Sequence, residues 1–210
     1  LAIVNRLLEI QEVIGNAHID NNWVLRLAAR DGHVAIVNRL LEIQEVSGNA
    51  HIDNNWVLLE AARYGHLAIV NRLLEIQEVI GNAHAEDNEA LRRAAANGHV
   101  DIVNCLLEIP AVSANAHVRN NQVLVGAAKY GHLVVVKRLL EIQEVIGNAD
   151  AVGNDALRWA AGHGHVDIVN CLLEIPAVSA NTHVWDNMVL RWAAGHGHVA
   201  IVNRLLEIQE

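Results

Sequence analysis

The chain has 210 residues, 52% of them apolar and 19% charged, with no Phe, five Trp and two Tyr. That excludes a disordered polypeptide and predicts a core of aliphatic side chains. A formal charge of −9, with Arg and Glu alternating along the same segments, excludes the basic stripe of a nucleic-acid binder and fits a basic protein partner better. No apolar run approaches the ~18 residues of a spanning helix, and no basic, apolar and small-residue order opens the chain, so a soluble protein without a membrane partner is expected.

The dipeptide Gly-His returns at Gly32-His33, Gly65-His66, Gly98-His99, Gly131-His132, Gly164-His165 and Gly197-His198, a strict 33-residue period. Each unit is therefore one supersecondary element that buries its apolar face by stacking on its neighbours. The expected organisation is a single all-α solenoid over 1–210. A partial unit, 1–33, opens at its second helix; complete units follow at 34–66, 67–99, 100–132, 133–165 and 166–198; a further partial unit is 199–210.

Within one unit, a first helix runs from Trp23 to Arg30, turning Leu25, Ala28 and Ala29 inward, with Asn22 as its N-cap. Gly32 ends it in the left-handed conformation that glycine adopts without cost. The small Ala28-Ala29 pair lets neighbouring helices approach. From Val34 to Val46, apolar residues at helical spacing (Val34, Ile36, Val37, Leu40, Leu41, Ile43, Val46) predict an amphipathic second helix of three turns or more. Ser47 to Asn54 reads as a connecting loop, with room for a short β-hairpin. Pro110 and Pro176 should stop or bend the long helix near Ile109 and Ile175 in their own units. Those units also hold Cys105 and Cys171. At ~8–10 Å between neighbouring helices the two thiols lie roughly 16–20 Å apart, beyond the ~7 Å reach of a disulfide. Unpaired cysteines favour an intracellular compartment.

The period, the Leu-x-x-Ala-Ala-x-x-Gly-His-Val/Leu-x-Ile/Val-Val-x-x-Leu-Leu-Glu frame and the helix–loop–helix layout resemble ankyrin repeats over the whole chain. The resemblance implies helices stacked in two layers, hairpins at one edge, and a platform for binding other proteins. The family's Thr-Pro-Leu-His turn is replaced by Trp23-Val24-Leu25-Arg26, Trp56-Val57-Leu58-Leu59, Glu89-Ala90-Leu91-Arg92 and their equivalents. Gln44-Glu45-Val46 stands where the family has Gly-Ala-Asp, which lets the second helix run a turn longer.

Thirteen histidines raise the question of metal, and His163-x-His165 and His196-x-His198 each offer two nitrogens. Six of the thirteen are the Gly-His histidine and five more (His18, His51, His84, His117, His183) lie in the loop, a linear spacing that suits backbone hydrogen bonds rather than convergent ligation. No metal, cofactor or catalytic residue is assigned; no nucleophile elbow, phosphate loop or paired Cys motif occurs, so the chain reads as non-enzymatic. Glu42, Glu75 and Glu141 are solvated and partly neutralised by Arg39, Arg72 and Arg138.

Three columns differ between units: Trp23, Trp56, Glu89, Gln122, Asp155, Met188; then Leu27, Glu60, Arg93, Gly126, Trp159, Trp192; then Asp31, Tyr64, Asn97, Tyr130, His163, His196. Such variety predicts solvent exposure, and in ankyrin repeats this concave strip is the usual binding face. The candidate protein-binding residues are Arg158, Trp159, His163, Trp185, Arg191, Trp192, His196, Tyr64 and Tyr130, Trp159 and Trp192 being side by side, with Trp185 and His196 close to Trp192. The competing reading has the Trp rings closing gaps in an aliphatic stack. Since both termini fall inside a second helix, a longer array, or end-to-end self-association into a fibre, is the alternative to a scaffold for an unidentified protein partner.

Overall fold

The computed structural model describes residues 19–209; residues 1–18 of the partial unit read at 1–33, His18 among them, lie outside the described residues. The described chain is a stack of helices with no strand, so the expected β-hairpin does not form. In order come α1 (Ile19–Arg30), α2 (Val34–Leu41), α3 (Gln44–Gly48), α4 (Ile52–Tyr64), α5 (Leu67–Leu73) and α6 (Gln77–Gly81). The pattern continues with α7 (Ala85–Ala96), α8 (Val100–Leu107), α9 (Pro110–Ala114), α10 (Val118–Lys129), α11 (Leu133–Leu139) and α12 (Gln143–Gly147). It closes with α13 (Ala151–Gly162), α14 (Val166–Leu173), α15 (Pro176–Ala180), α16 (Val184–Gly195) and α17 (Val199–Gln209). Each unit thus contributes a first helix, a second helix and a short third one. First helices pack on first helices of adjacent units in one layer, and second helices form the other.

The second helix is shorter than its apolar pattern suggests. One extended residue interrupts it in each of five units: Ile43, Ile76, Ile109, Ile142 and Ile175 (ψ 117–122°). The break occurs with or without proline, so Pro110 and Pro176 do not cause it; they occupy the first turn of α9 and α15, where the missing N–H costs nothing. Apolar residues continue across the break because α3 and its equivalents also face the core, with Val46, Val79, Val112, Val145 and Val178 fully buried.

The first helices open with a left-handed turn in place of the expected cap and hairpin. Asp53, Asn54 and Asn55 have φ of 54, 58 and 62°, and the same three places are left-handed at Glu86-Asp87-Asn88, Arg119-Asn120-Asn121, Val152-Gly153-Asn154 and Trp185-Asp186-Asn187. Left-handed backbone costs roughly 1–2 kcal/mol per L-residue, least for Asn, Asp and Gly, and those types fill most of the places. Asn22 is accordingly not an N-cap. Its side chain donates from Nδ2 to the Val46 carbonyl at 2.8 Å, and Asn55, Asn88, Asn121 and Asn154 repeat that bond to Val79, Val112, Val145 and Val178 at 2.7–2.9 Å. These amides are buried, and each ties a left-handed turn to the short helix of the following unit.

The Gly-His histidines also join units rather than closing one. His66 Nε2 donates to the Arg30 carbonyl at 2.8 Å, and His99, His132, His165 and His198 do the same to Arg63, Ala96, Lys129 and Gly162 at 3.0–3.1 Å. The glycines are left-handed as expected, Gly32 at φ 75°. A Cβ on Gly32 would also stand 2.6 Å from the His66 ring. Glycine is therefore needed twice, for φ and for room.

Packing completes the core. Leu25, Leu58, Leu91, Leu124 and Leu157 are fully buried between the layers, as are Ala61 and Ala62. Leu40, Leu41 and Val37 are buried as predicted, whereas Ile36 is half-buried, unlike Ile69, Ile102, Ile168 and Ile201. Arg72 to Glu75 (2.7 Å) and Arg138 to Glu141 (2.9 Å) pair as expected, Arg39 to Glu42 likewise; on exposed helix surfaces such pairs contribute little. Both cysteines are free thiols, and no described helix is long and apolar enough to cross a membrane.

Candidate functional site

The first-helix layer carries the variable columns, and its geometry follows from the spacing of the units. The column Asp31, Tyr64, Asn97, Tyr130, His163, His196 is exposed throughout, as predicted. The column Leu27, Glu60, Arg93, Gly126, Trp159, Trp192 is not uniformly open: Glu60 is only 8% exposed and accepts from Trp56 Nε1 at 3.0 Å. Arg93 is exposed and the rest of that column is half-buried.

Trp159 and Trp192 stand edge to face with centroids 5.1 Å apart. Arg158 lies over both rings, 5.0 and 4.8 Å from their centroids, and its guanidinium is fixed by Asp155, with Nε to Oδ1 at 3.0 Å. Lys129 extends the series, its Nζ 4.2 Å from the Trp159 centroid and 5.2 Å from that of Tyr130. A second stack occurs near the other end, where Arg26 lies over Trp23 and Trp56 at 5.4 and 4.4 Å. Cations held over aromatic faces are attracted by the ring quadrupole and keep large side chains in one arrangement.

The gap-closing reading of the Trp rings holds in part. The Trp192 ring covers Gly162, where a Cβ would meet it at 2.7 Å, so one face is spent on the stack. Trp23 and Trp56 remain 49% and 40% exposed. Trp185 is not with Trp192. It occupies the left-handed turn, 57% exposed, with its ring against Gly153 of the previous unit. Arg191 is exposed beside Trp192.

His163 and His196 sit beside Trp159 and Trp192, centroids 5.6 and 6.0 Å away. Each bonds through Nδ1 to the carbonyl of that Trp, at 2.9 and 2.8 Å. Each also stacks on the next Gly-His ring, His165 and His198, at 6.1 and 6.3 Å. The remaining loop histidines precede the left-handed turns, except at Asp150, whose carboxylate accepts from Asn181 at 2.8 Å.

Sequence reasoning missed a trough floored by Ala96 and Gly126. A Cβ on Gly126 would lie 3.3 Å from that of Ala96, so two small residues meet where, in the next two units, Trp159 stands against Lys129 and Trp192 against Gly162. The resulting hollow, about 410 Å³, is walled by Trp159, Tyr130, Lys129, Arg92 and Glu89. The signal was present as the one Gly among Leu, Glu, Arg and Trp in that column. Burial, then neighbouring Arg119 and Arg93, push the Arg92 pKa below its ordinary value.

A family model described as ankyrin repeats (3 copies) matches residues 25–117, 91–184 and 124–210. The chain belongs to the ankyrin repeat family. No curated protein matches it significantly. Among solved structures it is similar to an ankyrin repeat family protein from Legionella pneumophila, 25% identical, with a TM-score of 0.49 over 97% of this chain and 65% of that one. It thus spans about two thirds of that protein's length. Ankyrin repeats generally mediate protein–protein interaction and are generally non-enzymatic.

Proposed function

We propose that the chain works as one ankyrin solenoid over 1–210, a non-enzymatic scaffold that binds a protein partner through its first-helix face and the edge of left-handed turns. The observation that carries this reading is the division within each unit. Residues that join units, the Asn amides, Gly-His rings and inward Leu and Ala, recur unchanged, while the first-helix face varies and carries Trp159, Trp192, Arg158, Tyr64 and Tyr130. Trp, Tyr and Arg dominate interface energies, and here stacking has already ordered them, which lowers the entropy lost on binding.

A photo-crosslinking amino acid placed at Tyr64, Tyr130 or His163, in cells of the source organism, tests this against the same group at Asn38 or Asn203 on the second-helix layer. One partner captured from the first three positions and not from the last two supports the reading. Capture of one partner only from Asn38 and Asn203 overturns it.

A further inference from the structure

The trough at Ala96 and Gly126 differs in charge from the rest of the molecule. From each Gly-His turn through the short helix, the described residues hold eleven acids and five bases, so the net negative charge resides largely in the second-helix layer. The trough has the opposite balance. Arg92, Arg93 and Lys129 border it with Glu89 as the one carboxylate, and Glu89 is shared by Arg92 and Arg93. Lys129 has aromatic rings beside it and no ion pair among the described residues. Arg92 keeps a buried Nε with no partner. Adjoining the first hollow is a second of about 580 Å³ that shares Arg93, Ala96 and Tyr130 with it and adds Arg63, a cation also without a carboxylate partner among the described residues.

We propose that this trough takes an acidic peptide segment of a protein partner, one carboxylate entering above Gly126 between Arg92, Arg93 and Lys129 while an apolar neighbour lies against Trp159. The inference rests on the protein-binding reading of the first-helix face and narrows it. It also replaces the basic partner suggested by the net charge, because partner choice follows the potential at the contact rather than the sum over the chain. An extended segment fits better than a small anion, since the joined hollows reach from Arg63 to Trp159 across the first helices α4, α7, α10 and α13.

The test is selection of displayed random dodecapeptides on the chain, followed by fluorescence anisotropy of the enriched peptides on wild type, Gly126→Leu and Lys129→Gln. Leucine fits this helical place in another unit, at Leu27, and circular dichroism of both variants confirms that they fold. The expected peptides carry Asp or Glu at one fixed place beside an apolar residue, and lose at least about tenfold in affinity on Gly126→Leu and a few-fold on Lys129→Gln. No enrichment, enrichment without a fixed acid, or acidic peptides indifferent to both variants overturns the inference. Non-acidic peptides that lose affinity with Trp159→Ala and Trp192→Ala would overturn it while leaving the first-helix face as the binding site; peptides indifferent to all four changes would remove both. Binding of an oligothymidylate with the same dependence on Gly126 would reassign the trough to nucleic acid and refute the peptide.

Discussion

Replacing Asn88 by Ala tests how units are joined. Asn88 is 1% exposed, has φ of 62°, and donates to the buried Val112 carbonyl of the next unit at 2.8 Å. Loss of the side chain removes a bond worth about 1 kcal/mol net and leaves a buried carbonyl unpaired, for about 1–3 kcal/mol together. Alanine in the left-handed region adds about 1 kcal/mol relative to Asn. The total is about 2–4 kcal/mol, a large part of the 5–15 kcal/mol typical of a domain. Asn88→Gly loses the same hydrogen bond but relaxes the backbone, so it should cost less than Asn88→Ala by about 1 kcal/mol. Urea unfolding followed by far-ultraviolet circular dichroism measures both. A cost under about 0.5 kcal/mol for Asn88→Ala, or a larger cost for Gly than for Ala, would refute both the bond and the left-handed turn.

Other outcomes follow from the same packing. Leu107→Ala, at a site 6% exposed, should destabilise the chain by about 2–5 kcal/mol in the same assay. Gly98→Ala places a Cβ 2.5 Å from the His132 ring at φ 75°, and should lower the melting temperature more than Gly147→Ala, where nothing lies within 4 Å; equal shifts would contradict the double role of the glycine. Burial, then Glu108 or Glu174, push the Cys105 and Cys171 thiols above their ordinary pKa, so less thiolate is present near neutral pH than in the unfolded chain. A thiol-reactive disulfide reagent should therefore find both thiols free, react with them more slowly in the native state than in denaturant, and accelerate toward high pH.

The stack and its units could be read from the sequence because period, Gly-His turns and inward Leu and Ala are local signals. What crossed between units could not. The Asn55 and His66 bonds join residues 24 and 36 positions apart, and no periodicity marks which carbonyl a side chain will meet. The break at Ile43 was hidden since Val46 and Ala50 stay buried beyond it, so the apolar pattern never lapses. Asp53-Asn54-Asn55 looked like a loop and cap because those residue types favour both caps and left-handed backbone. At the candidate site the pairing of Trp159 with Trp192 was visible from their one-period spacing. Trp185 was misplaced because the left-handed turn carries it over Gly153 instead.

The binding face is tested most directly by the dissociation constant of the partner captured from Tyr130, measured for wild type and for the double variant Trp159→Ala, Trp192→Ala. Removal of two stacked aromatic anchors should weaken binding at least about tenfold, while the control Arg39→Ala, Arg72→Ala on the second-helix layer leaves it unchanged. An unaltered constant for a Trp159, Trp192 variant that retains its native circular dichroism would contradict a first-helix binding face.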